Sequence, residues 1–442
     1  MKLLKTLAVV LAALLFTVSL TACRGASAYE IAVRNGFTGT EAEWIRSLQG
    51  VDGVNGKDGE DYKGAYDAYD LYLSAKENDG FDGTFSDFIK FFFSESERRS
   101  FENIANNLNS SLRIEARSTA LSSSGSAGSG VIYEIDKERG DAYVLTNFHV
   151  VYDSKNENEN GIAGSISAYL YGGEFPDCKM DCEYIGGSVN YDLALLKITG
   201  NEYLKNSLAV ACEFGDSNDL TLGSTVYAIG NSEGEGISLT KGIISVDSQE
   251  ITLSSEKLQK AFNIRVFRYD APVSPGNSGG GIFNEQGKLI GICNSKTAAD
   301  KSEGMSYAIP ANVIKSVAKK LKYQCEGKDN EDLYKPMFSI VVEARTSAGV
   351  YNAEKTRVDI VSDVYVSSVD ENSPVKNKLK VDDKLVSYTV QGEKFYITRT
   401  FHLVDALLGL DESDEIVLEI ERDGIKFNER ITITAEMMTR ID

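Results

Sequence analysis

Short runs of mostly apolar residues, interrupted by polar and glycine positions, fill the chain between about residues 130 and 310. The runs are rich in β-branched and aromatic residues and are separated by glycine turns, which is the pattern of short β-strands. They read GVIYEI, AYVLTNFHVV, SISAYLY, DLALLKI, STVYAIG, TKGIISV, IRVFRYD, KLIGICN and SYAIP. Many short strands at this spacing predict a sandwich or a barrel.

Two further segments have helical spacing. ANVIKSVAKKL, residues 311–321, predicts an amphipathic helix that closes the β-rich part of the chain. The apolar positions on its predicted face are Val313, Ile314, Val317 and Leu321. A charged stretch, CEGKDNEDLYK, then marks a boundary, and the remainder alternates strands with a helix at about residues 401–409. This order predicts a separate α+β domain over residues 334–442.

The N-terminal region, residues 23–107, holds a weak internal repeat. YEIAVRNGFTGTEAEWI is echoed by YDLYLSAKENDGFDGTFSDFI, and both copies contain Gly-Phe-x-Gly-Thr followed by an aromatic residue. Thr40 and Thr84 are predicted helix N-caps, and Trp44 and Phe88 are the predicted buried residues of the short helices that follow. Between the copies, GVDGVNGKDGED has glycine at every third position but no proline, so a flexible linker is favoured over a collagen helix. We expect a spacer or attachment segment without chemistry.

The first residues, MKLLKTLAVVLAALLFTVSLTAC, have the layout of a secretory signal. The apolar run over residues 7–20 is shorter than the roughly 20 residues that a transmembrane helix needs. LTAC resembles the bacterial lipobox, which implies that residues 1–22 are a lipoprotein signal peptide and that Cys23 carries a lipid anchor. The protein would then be exported and lipid-anchored to the outer face of the bacterial cytoplasmic membrane. A cleaved secretory signal with an incidental Cys23 is the alternative.

The charge balance restricts the class of partner. The formal net charge is −20 at pH 7, from 66 Asp and Glu against 46 Lys and Arg. Nucleic-acid phosphates and anionic lipid headgroups would repel such a chain. Polypeptide is therefore the expected partner, and nucleic acid is not.

The cysteines after Cys23 do not form the pattern of a disulfide framework. They are odd in number and scattered over a large region: Cys178, Cys182, Cys212, Cys293 and Cys325. Cys178 and Cys182 could pair with each other, but no histidine near them supports a zinc site. Small buried thiols are the favoured interpretation. No metal and no cofactor are expected.

Three separate fragments carry the candidate chemistry. His149 lies in the apolar run TNFHVV, Asp192 opens the run YDLALLKI, and Ser278 lies among the glycines of PVSPGNSGGGIF. Taken singly they are an ordinary core histidine, a turn aspartate and a glycine-rich turn. Taken together, the three residues supply one another's hydrogen-bond partners, because a buried imidazole needs partners for both nitrogens and a buried carboxylate needs a donor. Asp192 on one nitrogen and Ser278 on the other would make His149 the general base for an alcohol nucleophile.

The glycines around Ser278 have a physical reason of their own. In PGNSGG, Pro275-Gly276 predicts a tight turn, and residues without side chains let backbone N–H groups approach one point. Two converging amides stabilise an oxyanion. Gly276 and Ser278 are therefore the predicted oxyanion hole.

These residues and the segments around them resemble those of the HtrA/Deg family of serine endopeptidases. The fragments that carry the resemblance fall in the family's order: GSGVI, VLTNFHVV, YDLALLKI, GSTVYAIGN, LTKGIIS, DAPVSPGNSGG and MSYAIP. The order of His, Asp and Ser is similar to that of the chymotrypsin fold. The resemblance implies a mainly β protein, with a chymotrypsin-like double β-barrel protease domain over residues 108–323. It also implies catalytic roles for His149, Asp192 and Ser278.

The residues expected to form the substrate pocket depart from the trypsin pattern. Pro272 stands six residues before the candidate nucleophile, where trypsin-like pockets carry a carboxylate, so cleavage after Arg or Lys is not expected. Met305, Tyr307 and Ile309 of MSYAI are the predicted lining, which favours small or medium aliphatic side chains. Asn277 replaces the aspartate that pairs with a freed N-terminus in activated trypsins. We therefore expect activation by loop rearrangement and not by clipping.

The C-terminal domain resembles a PDZ domain. VYVSSVDENSPVKNKLKVDDKLVSY matches the family's strand, proline turn and second strand, and HLVDALLGL matches its groove helix. Such domains take peptide C-termini by strand addition. The loop expected to hold the carboxylate reads MFSIV, with Ser339 in place of glycine. His402, at the helix start, is interpreted as a solvated residue and not as a ligand contact.

The sequence thus predicts an extracytoplasmic serine endopeptidase of HtrA type. It would cleave misfolded or damaged exported proteins through an acyl-enzyme, after small or aliphatic residues. The family resemblance also implies a homotrimer. A catalytically idle lipoprotein that binds peptides on a protease fold and a PDZ-like domain is the alternative. A surface adhesin built on the N-terminal repeats is a third possibility, which rests on composition alone.

Overall fold

The computed structural model describes ten stretches of the chain and the isolated positions Thr38 and Ser122. The stretches are residues 72–74, 76–77, 81–92, 95–119, 125–153, 160–173, 176–255, 260–294, 305–326 and 333–441. The predictions for Cys23, Thr40 and Trp44 lie outside them. The chain divides into two compact units, Met1–Arg98 and Arg99–Asp442. Within the described stretches, no helix combines the length and the apolar character needed to cross a bilayer.

Helix α1, Phe85–Phe92, belongs to the first unit. Thr84 Oγ1 accepts a hydrogen bond from Asp87 N–H at 3.2 Å, and Thr84 N–H donates to Asp87 Oδ2 at 3.0 Å. This reciprocal pair satisfies backbone donors that the first turn of a helix would otherwise leave unpaired. Phe88 is buried, and its ring packs edge-on against Tyr72 with centroids 5.8 Å apart. The predicted N-cap at Thr84 and the predicted burial of Phe88 are confirmed.

Helix α2, Glu95–Asn109, leads into a closed six-stranded barrel of the second unit. Its strands are β1 Ser111–Arg117, β2 Gly125–Asp136, β3 Asp141–Thr146, β4 Ser165–Leu170, β5 Met180–Ser188 and β6 Leu193–Ile198. Around the barrel they follow the order β1-β2-β3-β6-β5-β4, and all neighbours are antiparallel. The short helix α3, Phe148–Val151, connects β3 to β4, and a second short helix, α4 Glu202–Asn206, follows β6.

A second closed barrel of six strands follows directly. Its strands are β7 Thr225–Gly230, β8 Ser238–Ser255, β9 Lys260–Tyr269, β10 Gly281–Asn284, β11 Leu289–Cys293 and β12 Ser306–Pro310. They follow the order β10-β11-β12-β9-β8-β7. Two consecutive antiparallel barrels confirm the predicted chymotrypsin-like fold and the mainly β class.

The apolar run of strand β6 contributes side chains to two hydrophobic cores. Ala194 and Leu196 belong to the core inside the first barrel, whereas Leu193 and Leu195 belong to the core shared with the second barrel. Successive side chains of a strand point to opposite faces, so a strand covered on both faces reads as a continuous apolar run. LALLKI has that form because both of its faces are buried.

The predicted amphipathic helix is present as α5, Ala311–Cys325, and extends four residues beyond the predicted end. It packs against β5 and β6 of the first barrel and against β11 and β12 of the second. The predicted face is buried in the shared core at Val313, Ile314, Val317 and Leu321. The helix therefore joins the two barrels, and its burial confirms the prediction for this face.

The C-terminal domain is a six-stranded sheet with one helix and a small two-stranded sheet. Its elements are β13 Tyr334–Pro336, β14 Ile340–Asn352, β15 Arg357–Val369, β16 Lys384–Val390, β17 Glu393–Tyr396, α6 Phe401–Leu408, β18 Glu415–Arg422, β19 Ile425–Thr432 and β20 Met438–Arg440. The large sheet has the order β14-β15-β16-β18-β19, with β17 beside β16, and β13 pairs with β20. The helix buries Leu403 and Leu407 in the domain's own core.

Polar contacts join the C-terminal domain to the barrels. The buried Lys320 of α5 donates to the Leu410 carbonyl at 2.7 Å and to Asp411 Oδ1 at 2.8 Å. Asn190 Nδ2, in the loop before β6, donates to the Ile441 carbonyl at 2.7 Å. A buried ammonium needs such acceptors, so the position of Asp411 is fixed relative to the protease fold.

The interpretation of His402 as a solvated residue is wrong. The ring is partly buried against Phe401, with centroids 4.8 Å apart, because the turn before α6 folds over it. Its Nδ1 lies 3.1 Å from the Tyr396 carbonyl oxygen and 3.3 Å from Thr398 N. Burial lowers the pKa of His402 to about 4. The neutral ring is therefore the form that the folded domain holds at neutral pH.

The lowered pKa gives His402 a predictable effect on acid stability. The unfolded chain takes up the proton near the ordinary pKa of 6.5, so stability is complete above that pH and is lost as pH falls towards 4. His402→Gln removes this pH-dependent contribution. We therefore expect the unfolding free energy of the variant minus that of wild type to be about 1 to 2 kcal/mol more positive at pH 4.5 than at pH 7.5. Urea unfolding of both proteins at the two pH values measures it. An unchanged difference would show that His402 titrates alike in both states.

Candidate active site

His149 lies on the one-turn helix α3 and not on a strand. The strand AYVLT ends at Thr146, and Phe148–Val151 forms a helical turn that buries Phe148, Val150 and Val151. The predicted continuous strand is wrong because Asn147 breaks it: its side chain donates to the Asp192 carbonyl at 2.8 Å. The apolar residues anchor the turn in the barrel core, and His149 remains partly exposed on its outer side.

Asp192 stands at the tight turn that begins β6. Its backbone has φ +48, and its N–H donates to the Val189 carbonyl at 3.2 Å. The carboxylate is buried, with 6% of the residue exposed. Its Oδ1 accepts the backbone N–H of His149 at 3.0 Å, and its Oδ2 lies 2.7 Å from His149 Nδ1. Asn294 Nδ2 donates a third hydrogen bond, to Oδ2 at 2.9 Å.

Ser278 completes the set of three predicted residues. Its Oγ lies 2.9 Å from His149 Nε2, and 4% of the residue is exposed. The serine carbonyl accepts the backbone N–H of Ser129, in β2, at 2.8 Å. The structure thus brings together an imidazole and a carboxylate from the first barrel and an alcohol from the second.

The two peptide groups that flank Gly276 are both held in place. The Pro275 carbonyl accepts the Glu233 N–H at 2.7 Å, and the Gly276 carbonyl accepts Ser129 Oγ–H at 2.7 Å. Within a trans peptide the C=O and N–H groups point in opposite directions. The Gly276 N–H therefore points away from Glu233. Gly276 itself has φ +99, which favours glycine at this position.

Close backbone contacts are a second reason for the glycines. A Cβ on Gly276 would overlap the Asn231 carbonyl oxygen, and a Cβ on Gly279, which has φ +86, would overlap the Ser129 carbonyl oxygen. The loop thus presses directly on the neighbouring backbone. The glycines are therefore needed for close backbone packing, as well as for the predicted convergence of backbone N–H groups.

The three predicted pocket residues differ in exposure. Met305 is partly exposed, whereas 3% of Tyr307 and none of Ile309 is exposed. Ile309 packs in the core shared by the barrels, so its side chain has no surface that a substrate could touch. Ile309 is therefore removed from the predicted lining. Pro272 is exposed, and its carbonyl accepts the Thr240 hydroxyl at 2.8 Å.

The described cysteines are not a disulfide framework. Cys178 and Cys182 are not joined to each other. Burial raises the pKa of Cys182, Cys212 and Cys293 to about 12, which keeps these thiols protonated and unreactive. Among the residues that the structure describes, no three His, Cys, Asp or Glu side chains are grouped to hold a metal ion.

Sequence reasoning missed Ser129 and Asn294. Ser129 lies within GSGVI and Asn294 ends KLIGICN, so both belong to recognised strand patterns with no chemical signal of their own. Their contacts with Gly276 and Asp192 arise only when distant segments meet. A search for buried polar residues at strand ends would have found Asn294, which has no exposed surface.

The crowding at Gly279 predicts a measurable cost of substitution. Gly279→Ala combines an unfavourable positive φ with overlap against the Ser129 carbonyl, so we expect about 2 to 4 kcal/mol of lost stability in urea unfolding. The matched control is Gly172→Ala, where φ is +72 and nothing lies within 4 Å of the added carbon. That variant should lose only about 1 kcal/mol. Equal losses would show that the contact with Ser129 does not require glycine.

Comparison with known proteins agrees with this geometry. A family model described as trypsin-like peptidase domain matches residues 128–292. The serine protease Do-like HtrA of Lactococcus lactis subsp. lactis (strain IL1403) is 32% identical over 309 residues, which cover 68% of this chain and 68% of that protein. The serine protease Do-like HtrA of Bacillus subtilis (strain 168) is 37% identical over 197 residues, which cover 44% of this chain and 39% of that protein.

Among solved structures, the HtrA-type protease AlgW with tripeptide is 22% identical, with a TM-score of 0.48. The match covers 76% of this chain and 96% of that one. Family membership follows from the sequence relatives, since the Lactococcus protein is matched over two thirds of its length. The chain belongs to the HtrA family of trypsin-like serine proteases and is a serine endopeptidase.

Proposed function

We propose that this endopeptidase cleaves misfolded or damaged exported proteins, with Ser278 as nucleophile, His149 as general base and Asp192 as the residue that orients the base. One observation carries the proposal. Hydrogen-bond contacts run without a break from Asp192 Oδ2 through both nitrogens of His149 to Ser278 Oγ, at 2.7 and 2.9 Å. A nucleophile, a base and an orienting acid in contact are what acyl transfer needs.

The proposed reaction proceeds in two halves. Ser278 Oγ adds to the scissile carbonyl carbon while its proton passes to His149 Nε2, and the carbonyl oxygen becomes an oxyanion. The C–N bond then breaks, and His149 gives the proton to the leaving amine. In the second half, water transfers a proton to His149 and attacks the acyl-enzyme, which releases the acid and restores the Ser278 hydroxyl.

Asp192 holds the base in one tautomer. Its carboxylate accepts the Nδ1–H of His149, which leaves Nε2 free to accept the serine proton. The bonds from His149 N–H and Asn294 Nδ2 orient both carboxylate oxygens. The buried negative charge also stabilises the imidazolium that forms during the reaction.

The oxyanion is proposed to bind the backbone N–H groups of Gly276 and Ser278. The hydrogen bond from Glu233 N–H to the Pro275 carbonyl supports this role for Gly276, because it turns the amide of the same peptide group to the opposite side. Two such donors are worth several kcal/mol in the transition state.

The proposed cleavage preference is for small or medium aliphatic residues. Pro272 provides no carboxylate for an Arg or Lys side chain, and the partly exposed Met305 supplies apolar surface. An extended polypeptide is the proposed substrate, since the acidic chain suits neither nucleic acid nor an anionic membrane surface.

The C-terminal domain, residues 334–442, is proposed to bind peptides in the manner of a PDZ domain. A cavity of about 810 Å³ lies beside the start of β14 and the helix α6, and its apolar lining includes Ile340, Val342, Val404 and Leu408. Ser339 adopts φ +52, the conformation that glycine would take in the carboxylate-binding loop. This positive φ supports a role for the loop in binding a peptide carboxylate, although serine stands where the family has glycine.

The first prediction of the proposal concerns the nucleophile. Ser278→Ala removes the attacking oxygen, and we expect cleavage of unfolded casein to fall by at least about 10⁴-fold, with no labelling by a fluorophosphonate. Ser111→Ala is the control, because it removes a buried hydroxyl that donates to the Asn107 carbonyl. Cleavage by Ser278→Ala at the wild-type rate would refute the mechanism. Absence of labelling in wild type, with and without added peptides, would favour the idle peptide-binding lipoprotein.

The second prediction concerns the anchor. We propose that residues 1–22 are a lipoprotein signal peptide and that the acylated Cys23 places residues 23–107, a spacer, and the protease domain, residues 108–323, outside the cytoplasmic membrane. Cys23→Ala should move the protein from the membrane fraction to the soluble or secreted fraction, because one or two acyl chains supply the membrane affinity. Intact-mass analysis of the wild-type membrane fraction checks the lipid directly. An unlipidated Cys23 would leave the cleaved secretory signal as the explanation.

A further inference from the structure

Ser129 forms four hydrogen bonds, and three of them reach the segments that carry His149 and Ser278. Only 1% of the residue is exposed. Its N–H donates to the Ser278 carbonyl at 2.8 Å, and its carbonyl accepts the Thr146 hydroxyl at 2.7 Å, three residues before His149. Its Oγ accepts the Asn231 N–H at 2.7 Å and donates to the Gly276 carbonyl at 2.7 Å.

The hydroxyl of Ser129 is oriented by these partners. Because its oxygen accepts the Asn231 N–H, its own proton is left for the Gly276 carbonyl. The carbonyl of Gly276 is in turn part of the peptide group that contains Asn277 N, which donates to the Ser274 carbonyl at 3.1 Å. The Ser129 hydroxyl thus fixes one of the two peptide planes that flank Gly276.

The loop that follows β7 fixes the other plane. Glu233 N–H holds the Pro275 carbonyl, and the same loop supplies the Asn231 N–H that orients Ser129. Glu233 adopts φ +57 to do so, which is a strained conformation for a glutamate. A hydrogen bond therefore holds the peptide group on each side of Gly276: the one that carries its N–H is held from this loop, and the one that follows is held from strand β2 of the first barrel.

We propose that Ser129 is a positioning residue for the oxyanion hole, which acts by holding the Gly276–Asn277 peptide, the group that lies between the peptides carrying the Gly276 and Ser278 N–H donors. This inference rests on the proposed function, in which the Gly276 amide is an oxyanion donor. Ser129 does not touch the substrate. Its hydroxyl joins an element of the first barrel to the nucleophile loop of the second, so it also sets the oxyanion donors relative to His149.

A serine suits this position because both partners are buried backbone groups. Alanine at 129 would leave the Asn231 N–H and the Gly276 carbonyl without the hydroxyl between them, and a carbonyl released in this way is free to turn. Rotation of this Gly276–Asn277 peptide would change the angle between the Gly276 and Ser278 N–H groups on either side of it, so that they no longer point at one oxyanion. Loss of one oxyanion donor typically lowers kcat by about 10²- to 10³-fold while substrate binding changes little.

A purely structural role makes a different prediction. If Ser129 only stabilised the packing of the barrels, its loss would lower thermal stability without a selective effect on the transition state. The discriminating quantities are therefore kcat against KM and the affinity of a peptide boronate, which forms a tetrahedral adduct with the nucleophile. A positioning role in the oxyanion hole changes kcat and boronate affinity together with KM unchanged, whereas a purely structural role does not.

The experiment compares Ser129→Ala, Ser111→Ala and wild type on a short chromogenic peptide. We expect Ser129→Ala to lose about 100-fold in kcat and a similar factor in boronate affinity, with KM within about three-fold and with an unchanged acid limb of the pH profile. Ser111→Ala loses a comparable buried hydroxyl and should retain wild-type kinetics. A Ser129→Ala kcat within about three-fold of wild type, or a loss confined to KM, overturns the proposal.

Two further comparisons cover the remaining outcomes. Ser129→Thr keeps the hydroxyl and replaces the alanine variant if that variant does not fold. Boronate affinity of the threonine variant within about ten-fold of wild type supports the proposal. A loss of about 100-fold in the folded threonine variant, which is roughly the full effect of a missing donor, overturns it. Loss of hydrolysis in Ser278→Ala together with full activity in Ser129→Ala would overturn this inference alone. Hydrolysis by Ser278→Ala would overturn the proposed function and this inference with it.

Discussion

The buried carboxylate of Asp192 is the constraint that the two barrels satisfy together. It receives hydrogen bonds from the backbone and ring of His149, in the first barrel, and from Asn294, which follows β11 of the second. A buried carboxylate without donors would cost several kcal/mol. Because the donors come from both barrels, the barrels are held in the one arrangement that satisfies them, and that arrangement also brings Ser278 to His149.

The position of Asp192 is in turn fixed by the strand that follows it. In β6, Ala194 and Leu196 face the interior of the first barrel, whereas Leu193 and Leu195 face the core shared with α5. A shift of one residue in register would exchange the two faces. Small and large side chains would then be misplaced in both cores, and the carboxylate would leave His149. The apolar run after Asp192 is therefore what positions the carboxylate beside His149, although its side chains do not contact either residue's polar groups.

The sequence predicted the features whose residue pattern lies within one continuous segment of the chain. The amphipathic face of α5, most strands and the three clustered candidates each have a local pattern. Strands β1, β5 and β10 were missed, since SLRIEAR is charged at alternate positions, MDCEYIGGS ends in glycines, and GIFN is only a short continuation of the nucleophile loop. His149 was placed on a strand because a single helical turn of apolar residues has no period long enough to recognise.

The contacts that tertiary structure creates could not be predicted in the same way. Ser129 and Asn294 act through partners far away in sequence, and no periodicity marks them. The pocket residue Ile309 fails for a related reason. Met305, Tyr307 and Ile309 have the same apolar strand pattern, and only the closure of the second barrel buries Tyr307 and Ile309 in the core while Met305 stays partly exposed.

The turn that carries Asp192 is held from three directions. Asn147 binds its carbonyl, the His149 turn and Asn294 bind its carboxylate, and Asn190 binds the carbonyl of Ile441 in the C-terminal domain. The backbone there has φ +48, in the left-handed region that aspartate enters more readily than most residues other than glycine. Because one of the three supports comes from the C-terminal domain, the docking of that domain and the position of the Asp192 carboxylate depend on the same short segment of chain.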